Sequence, residues 1–267
     1  MRLDHDNGPT EVSIDPRIID LSREVAHEMS LQGAKAALLM GSRVRGDFYP
    51  ESDVDLTFIG GDRECEMQCC GEFLVSVYWR SFESMRRLLT QPSEVGGLVP
   101  ALRNAIIIDD PEGLASRLKE EAYSWTWDSI NEQCDVWVAE QIAGYTEDVQ
   151  RMIGHLRLGR VLFAAVLRNV ISVRMGAVLA VHLRIFYDTE NRLWDLVSKE
   201  MGDHWRNVQS AALGIGNENF EETCRATLEL YSLTVKKVIH LMNKRQYDVV
   251  SHTCEIIGYP LSEFRRR

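Results

Sequence analysis

In the first half of the chain, segments with a helical hydrophobic pattern alternate with short strand-like apolar runs. Between residues 15 and 32 apolar side chains recur at a helical period after an Asp-Pro start, which predicts a first helix. Short apolar runs bounded by glycine or polar residues predict β-strands in 34–42, 53–60, 72–81 and 104–110. A helical pattern returns in 82–91 and in 111–122, where Pro111 stands at a position that the first turn of a helix permits.

From about residue 125 onwards, helical periods replace the strand-like runs. Residues 160–187 are almost wholly apolar, interrupted by Arg168, Arg174 and His182, and predict one central helix or two, buried on most sides. Residues 219–244 predict a further amphipathic helix. The pattern as a whole predicts an α+β fold with two domains: residues 1–124, a mixed β-sheet with flanking helices, and residues 125–267, a helical bundle.

Charge and composition narrow the class of protein. The net charge of −10 argues against binding to nucleic acid or to an anionic membrane, because both favour a basic surface, and it is compatible with a cationic substrate. Residues 1–15 are polar, without a signal-peptide core, and no uninterrupted apolar run approaches the roughly 20 residues of a membrane span. The six cysteines lack metal-ligand spacing, which favours a reducing cytoplasm.

One polar stretch between two predicted strands carries the candidate chemistry. Gly41 and Ser42 follow the first strand, and after ten intervening residues Asp53 and Asp55 open the second. Alternate residues of a strand share a face, so we expect the two carboxylates to point together, where like charges about 4 Å apart repel by roughly 4 kcal/mol unless a cation intervenes. Paired carboxylates suit Mg²⁺, and a glycine turn with a hydroxyl and backbone N–H groups suits phosphate.

The segment 41–56 resembles the signature of the polymerase-β-type nucleotidyltransferase superfamily, Gly-Ser, a spacer and Asp-x-Asp. Three further segments, 71–81, 106–118 and 176–202, resemble aminoglycoside nucleotidyltransferases of the kanamycin type. The resemblance implies transfer of a nucleoside monophosphate from ATP or another NTP to a substrate hydroxyl. It implies that Asp53 and Asp55 hold Mg²⁺, and that Ser42 and Arg45, beside Gly41, grip the phosphates, with Arg43 as a helper.

The sequence departs from this family at the third acid. Many relatives carry a carboxylate in a Val-acid-Val setting, where this chain has Ser76, which cannot act as a base. Glu72 shares the parity of Ser76, but a surface charge at the strand end is the better interpretation. In the kanamycin type, an acid four residues before a cation on the first helix of the second domain supplies the base.

Glu147 and Arg151 match that spacing on one helix face, and the resemblance implies that Glu147 is the base and that Arg151 binds the triphosphate. An exposed salt bridge explains the same pair. Asp148 is the alternative base if the register slips by one, and Glu140 lies two turns earlier on the same side.

Three functions remain open at the level of sequence. The first is a cytoplasmic, Mg²⁺-dependent enzyme that modifies a hydroxyl of a small molecule such as an aminoglycoside, working as a homodimer like its kanamycin-type relatives. The second is an antitoxin-like or regulatory nucleotidyltransferase that acts on a protein partner, although the fused helical half counts against it. The third is a nucleotide-binding module without transfer activity, supported by Ser76 and opposed by the intact Gly41, Ser42, Asp53 and Asp55.

Overall fold

The computed structural model describes residues 14–216 and 218–261 of the protein. The chain forms two compact units, the first ending at Thr126 and the second beginning at Trp127. Residues 1–13, most of the polar segment in which a signal peptide was not expected, lie outside the described residues.

The first unit combines five strands with flanking helices. In chain order its elements are α1 (Pro16–Leu31), β1 (Ala36–Met40), α2 (Ser42–Arg45), β2 (Val54–Ile59), β3 (Glu66–Cys70), β4 (Phe73–Arg80), α3 (Phe82–Leu88), α4 (Pro92–Asn104), β5 (Ile106–Asp109) and α5 (Leu114–Ser124). The strands form one mixed sheet in the order β3-β4-β2-β1-β5, in which β2 and β4 are parallel and the other neighbouring pairs are antiparallel. The predicted α+β class is confirmed.

One face of the sheet packs on α1. Asp15 caps this helix by accepting the backbone N–H of Arg17, and Pro16 occupies the first turn, where its missing N–H costs nothing. The apolar side of α1 meets every second residue of the central strands, a core that includes Ile18, Val25, Met29, Leu39, Leu56, Phe58, Val77 and Trp79. Because side chains alternate along a strand, Asp53 and Asp55 project from the opposite face. We call that opposite face the site face.

Three details of the first unit differ from the expected pattern. The four predicted strands correspond to β1, β2, β4 and β5, but β3 is a fifth strand, formed by residues with little apolar content at the edge of the sheet. Helix α4 forms although it contains Gly96, Gly97 and Pro100. Pro111 lies in the turn before α5, which begins at Leu114 after Gly113.

The second unit is helical throughout its described length. Its helices are α6 (Asn131–Arg157), α7 (Val161–His182), α8 (Glu190–Met201), α9 (Asp203–Ala212), α10 (Phe220–Val238) and α11 (Lys244–Ile256), with short 3₁₀ turns at Trp127–Ile130 and Ile239–Leu241. Helix α7 packs on α6, α8 and α10. Gly176 lets α7 pack closely on α8, because a Cβ at position 176 would overlap the ring of Trp194.

Helix α7 is a single helix, less enclosed than its apolar sequence predicts. Ile171, Met175 and Leu179 are fully buried, whereas four apolar side chains on another side are exposed: Leu162, Val166, Val170 and Val173. These four residues, the α7 stripe, recur at intervals of four, four and three, which places them on one helix face. By length and composition α7 is also apolar enough to cross a membrane, with 39% of its most apolar window buried; core helices of soluble proteins meet the same criterion.

Candidate active site

The two predicted carboxylates lie at the start of β2 on the site face. Asp55 is in register with Met40 of β1 and with Ser76 of β4. Asp53 precedes the strand, and its carboxylate accepts a hydrogen bond from the Ser76 hydroxyl. Both aspartates therefore meet at Ser76, and the common face that the alternating pattern predicts is present.

The two carboxylates are close enough for the charge of one to raise the pKa of the other. Burial first, and then the neighbouring charge of Asp53, raise the pKa of the Asp55 carboxyl to about 6, against a smaller opposing effect of Arg45. Neither aspartate has a salt-bridge partner among the described residues. Two neighbouring carboxylates that form no salt bridge are a donor set that fits a divalent metal ion.

The protein itself offers a metal ion few other ligands. Within residues 14–216 and 218–261 no group of three or more His, Cys, Asp or Glu side chains is placed to hold a metal. The residues present therefore fit Mg²⁺, which commonly takes one or two carboxylates and completes its coordination with water and substrate phosphates. They do not fit a fully protein-enclosed metal centre.

The backbone of Gly41 lies close to the Asp55 carboxylate. Its φ of 82° and ψ of −164° belong to a region that residues with a Cβ avoid. A Cβ at this position would overlap the Oδ2 atom of Asp55. Gly41 leads directly into α2, whose first residue is Ser42 and which ends at Gly46 in the left-handed conformation. This turn brings the backbone of Gly41 alongside Asp55, and Ser42 follows it directly in the chain.

Arg43 contacts the loop that precedes Asp53, and a helper role toward the phosphates stays a prediction. It is buried, and its guanidinium donates to the carbonyl oxygens of Ser52 (2.5 Å from Nη2) and Asp53 (3.2 Å from Nε), with a longer contact to Pro50. The guanidinium also lies over the ring of Phe48. With its donors directed at the loop backbone, Arg43 fixes the segment that delivers Asp53 to the site.

Arg45 remains close to the site but is already paired. Its side chain is largely buried and forms an ion pair with Asp47, with Nη2 3.2 Å from Oδ1. It lines a small cleft together with Gly41 and Asn104, and its charge acts on Asp55. The guanidinium of Arg45 is therefore already engaged by Asp47.

Sequence reasoning missed two neighbours of the carboxylates. Tyr78 follows Ser76 by two residues on the site face, and burial, together with Cys65 and Asp55, raises the pKa of its phenol. Met67 of β3 lies opposite Ser76, and its sulfur is 3.0 Å from the Ser76 hydroxyl oxygen. The alternation that identified the aspartates also identifies Tyr78; Met67 is found only once β3 is known to pair with β4.

Glu72 takes no part in this site. Its side chain is exposed and forms an ion pair with Arg17 of α1. The interpretation of Glu72 as a surface charge at the strand end agrees with this contact.

The remaining predicted residues belong to the second unit, on α6. Glu147 is 79% exposed and lies 3.9 Å from Arg151. The same guanidinium is 3.7 Å from Asp148, so the cation interacts with both acids. Glu140, about two turns earlier on the same helix, is also exposed. The expected ion pair is present, and the catalytic role of Glu147 stays a prediction.

Comparison with known proteins finds similarity among solved structures and not among family models or curated proteins. No family model matches the chain, and no curated protein matches it. Among solved structures, it is similar to a nucleotidyltransferase-like protein from Exiguobacterium sibiricum, with 11% sequence identity and a TM-score of 0.49 over 94% of this chain and 81% of that one.

Proposed function

We propose that this protein is a Mg²⁺-dependent nucleotidyltransferase that moves a nucleoside monophosphate from an NTP, such as ATP, to a hydroxyl of a small molecule. The observation that carries the proposal is the convergence of Asp53 and Asp55 beside the Gly41 turn, with no salt-bridge partner for either among the described residues. The resemblance of segment 41–56 to the polymerase-β-type signature supports the same reaction.

Each candidate site residue of the first unit has its own role in the proposed reaction. Asp53 and Asp55 hold the metal ion, which when bound neutralises charge on the triphosphate and on the transferred phosphoryl group. Gly41 lets the backbone approach closely, and Ser42 donates a hydroxyl to the phosphates. Arg45 adds a charge-assisted donor beside Asp55, supplied from its ion pair with Asp47.

The chemical step requires a proton acceptor. The acceptor hydroxyl oxygen forms a bond to the α-phosphorus, the bond to the pyrophosphate leaving group breaks, and the hydroxyl proton passes to a base. We assign that base to Glu147, with Arg151 acting on the triphosphate, because an acid four residues before a cation occupies the matching place in kanamycin-type relatives. Asp148 and Glu140 are the alternatives, and Asp148 shares Arg151 with Glu147.

For the acceptor we propose a cationic small molecule, on the basis of charge and resemblance. A net charge of −10 favours a cationic acceptor over an anionic one, in line with an aminoglycoside. A protein acceptor, as in antitoxin-like or regulatory nucleotidyltransferases, is the second candidate.

The assembly that we propose is a homodimer through the α7 stripe. Its four exposed side chains span about 16 Å of one helix, and large contiguous apolar patches on soluble proteins mark interaction sites. The absence of a charged side chain within the stripe itself permits a second copy of the same surface to pack against it.

Pyrophosphate release tests the function directly. Purified protein is supplied with Mg²⁺ and each NTP in turn, against aminoglycosides, hydroxylated metabolites and a protein extract. We expect release with a small cationic acceptor, and its loss in Asp53→Asn and in Asp55→Asn. Asp20→Asn, an exposed aspartate on α1, is the matched control and should retain activity. Near wild-type turnover in either site variant would remove the proposed metal site.

A further inference from the structure

Ser76 occupies an unusual place for a hydroxyl group. It is 1% exposed, lies in register with Asp55 on the adjacent parallel strand, and contacts the Asp53 carboxylate. On its other side its oxygen is 3.0 Å from the Met67 sulfur. Among the described residues, Ser76 is the one side chain that donates a hydrogen bond to Asp53.

The single hydroxyl proton of Ser76 has two neighbouring acceptors of unequal strength. A carboxylate accepts a charge-assisted hydrogen bond, roughly twice as strong as a neutral one, whereas a thioether sulfur is a weak acceptor. The proton is therefore directed at Asp53. Met67 adds no strong acceptor that would draw it away.

This hydrogen bond selects between the two oxygens of the Asp53 carboxylate. The Oδ2 atom accepts from Ser76, and rotation of the carboxylate would leave the buried hydroxyl without this partner. The Oδ1 atom is thereby left for an external ligand. Asp55 is restrained differently, by the close backbone of Gly41.

We propose that Ser76 is a positioning residue that orients Asp53 for a divalent cation carrying the triphosphate. The inference rests on the proposed function, and it gives a purpose to a serine that cannot itself act as a base. Groups that orient metal ligands typically contribute a factor of 10–100 to metal affinity. Ser76 acts through Asp53 and does not touch the metal or the substrate.

Manganese binding separates this role from a general structural one. Mn²⁺ affinity is measured by electron paramagnetic resonance with a non-hydrolysable α,β-methylene ATP analogue, in the wild type and in Ser76→Ala, Ser76→Thr and Ser76→Cys. We expect Ser76→Ala to weaken Mn²⁺ binding on the order of 10–100-fold. Ser76→Thr keeps the donor and should restore binding, and the weaker thiol donor of Ser76→Cys should fall between them.

Two controls give each result a single meaning. Met67→Leu removes the sulfur at similar size and should bind Mn²⁺ like the wild type, because the proton of Ser76 is directed at Asp53. Thermal unfolding without metal verifies that each variant is folded. If Ser76→Ala is unfolded, the comparison of Ser76→Thr and Ser76→Cys with the wild type tests the proposal. Equal binding by the wild type and a folded Ser76→Ala overturns the inference alone, as does a Ser76→Thr variant that binds as weakly as Ser76→Ala. Failure of the wild type to bind Mn²⁺ with nucleotide overturns the proposed function as well.

Discussion

At the scale of single residues, Gly41 and Asp55 depend on each other. The glycine adopts a backbone conformation closed to other residues, and the space where its side chain would lie is occupied by a carboxylate oxygen. The fit has two separate components, backbone strain and crowding of a site residue.

A substitution at Gly41 should expose both components. We expect Gly41→Ala to destabilise the fold by on the order of 1–3 kcal/mol through strain and to abolish binding of Mn²⁺ with nucleotide by displacing Asp55. Gly71→Ala is the matched control: Gly71 also has a positive φ, 62°, but nothing lies within 4 Å of an added Cβ. It should lose stability by a similar amount and keep binding. Denaturant unfolding and Mn²⁺ titration measure the two effects; full binding by Gly41→Ala would contradict the crowding.

Asp55 should also limit the stability of the metal-free protein at neutral pH. Its folded-state pKa of about 6 lies above the ordinary value of 3.8. The contribution of the neutral acid to stability is therefore complete below about pH 3.8 and is lost as the pH rises through about 6. The shift corresponds to a destabilisation on the order of 2–3 kcal/mol when the group is charged.

Removing that charge should therefore stabilise the protein while removing its function. We expect Asp55→Asn to raise the thermal midpoint at pH 7.5 in the presence of a chelator, with a smaller difference at pH 5. Added Mn²⁺ should raise the midpoint of the wild type but not of the variant. Differential scanning fluorimetry at both pH values provides the measurement. An Asp55→Asn midpoint below that of the wild type at pH 7.5 would refute the electrostatic argument.

The residues of the site differ in how far the sequence reveals them. The shared face of Asp53 and Asp55 follows from strand alternation, a local rule. Arg43 could not be assigned in this way, because its acceptors are carbonyl groups of an irregular loop that no side-chain pattern describes. The contact of Met67 with Ser76 depends on a strand register between separate segments, which the sequence does not specify.

At the scale of elements, strands and helices with a local sequence pattern were predicted, whereas those that depend on contacts between separate segments were missed. The strands with apolar cores were predictable because burial imposes a period of two, whereas β3 lies at the edge of the sheet and has little to bury. Helix α4 forms despite Gly96, Gly97 and Pro100 because Val95, Val99 and Leu102 are fully buried. Tertiary packing there outweighs local propensity.

Helix α6 carries the prediction about the base. We expect Glu147→Gln to lower kcat by on the order of 10²–10⁴ with nucleotide binding retained, and Glu140→Gln to have a much smaller effect. The exposure of Glu147 makes loss of stability an improbable cause of any decrease. Single-turnover kinetics with saturating nucleotide isolates the chemical step. If Asp148→Gln, but not Glu147→Gln, slowed that step, the base would be Asp148.

At the scale of the whole molecule, the α7 stripe is apolar surface that stays exposed in a single chain. The proposed homodimer buries it, so a charge introduced there should separate the subunits. We expect Val166→Glu to convert a dimer at micromolar concentration into a monomer, as measured by sedimentation velocity. Leu31→Glu is the control, because Leu31 is more exposed than any member of the stripe but lies on α1. A monomeric wild type would rule out the assembly.

The loop that Arg43 holds has a consequence for protein engineering. The ends of the segment from Gly41 to Asp55 lie side by side, and Met40 and Asp55 are cross-strand partners. Arg43, near the start of the segment, donates to the carbonyl oxygens of Ser52 and Asp53 near its end. These contacts are internal to one stretch of chain, but Asp53 also accepts a hydrogen bond from Ser76 on the parallel strand β4. A transplant of the segment should therefore include a parallel strand with a hydroxyl opposite Asp55, as well as the antiparallel pair. A graft of the two aspartates alone would leave them without the Gly41 turn and without the Arg43 contacts.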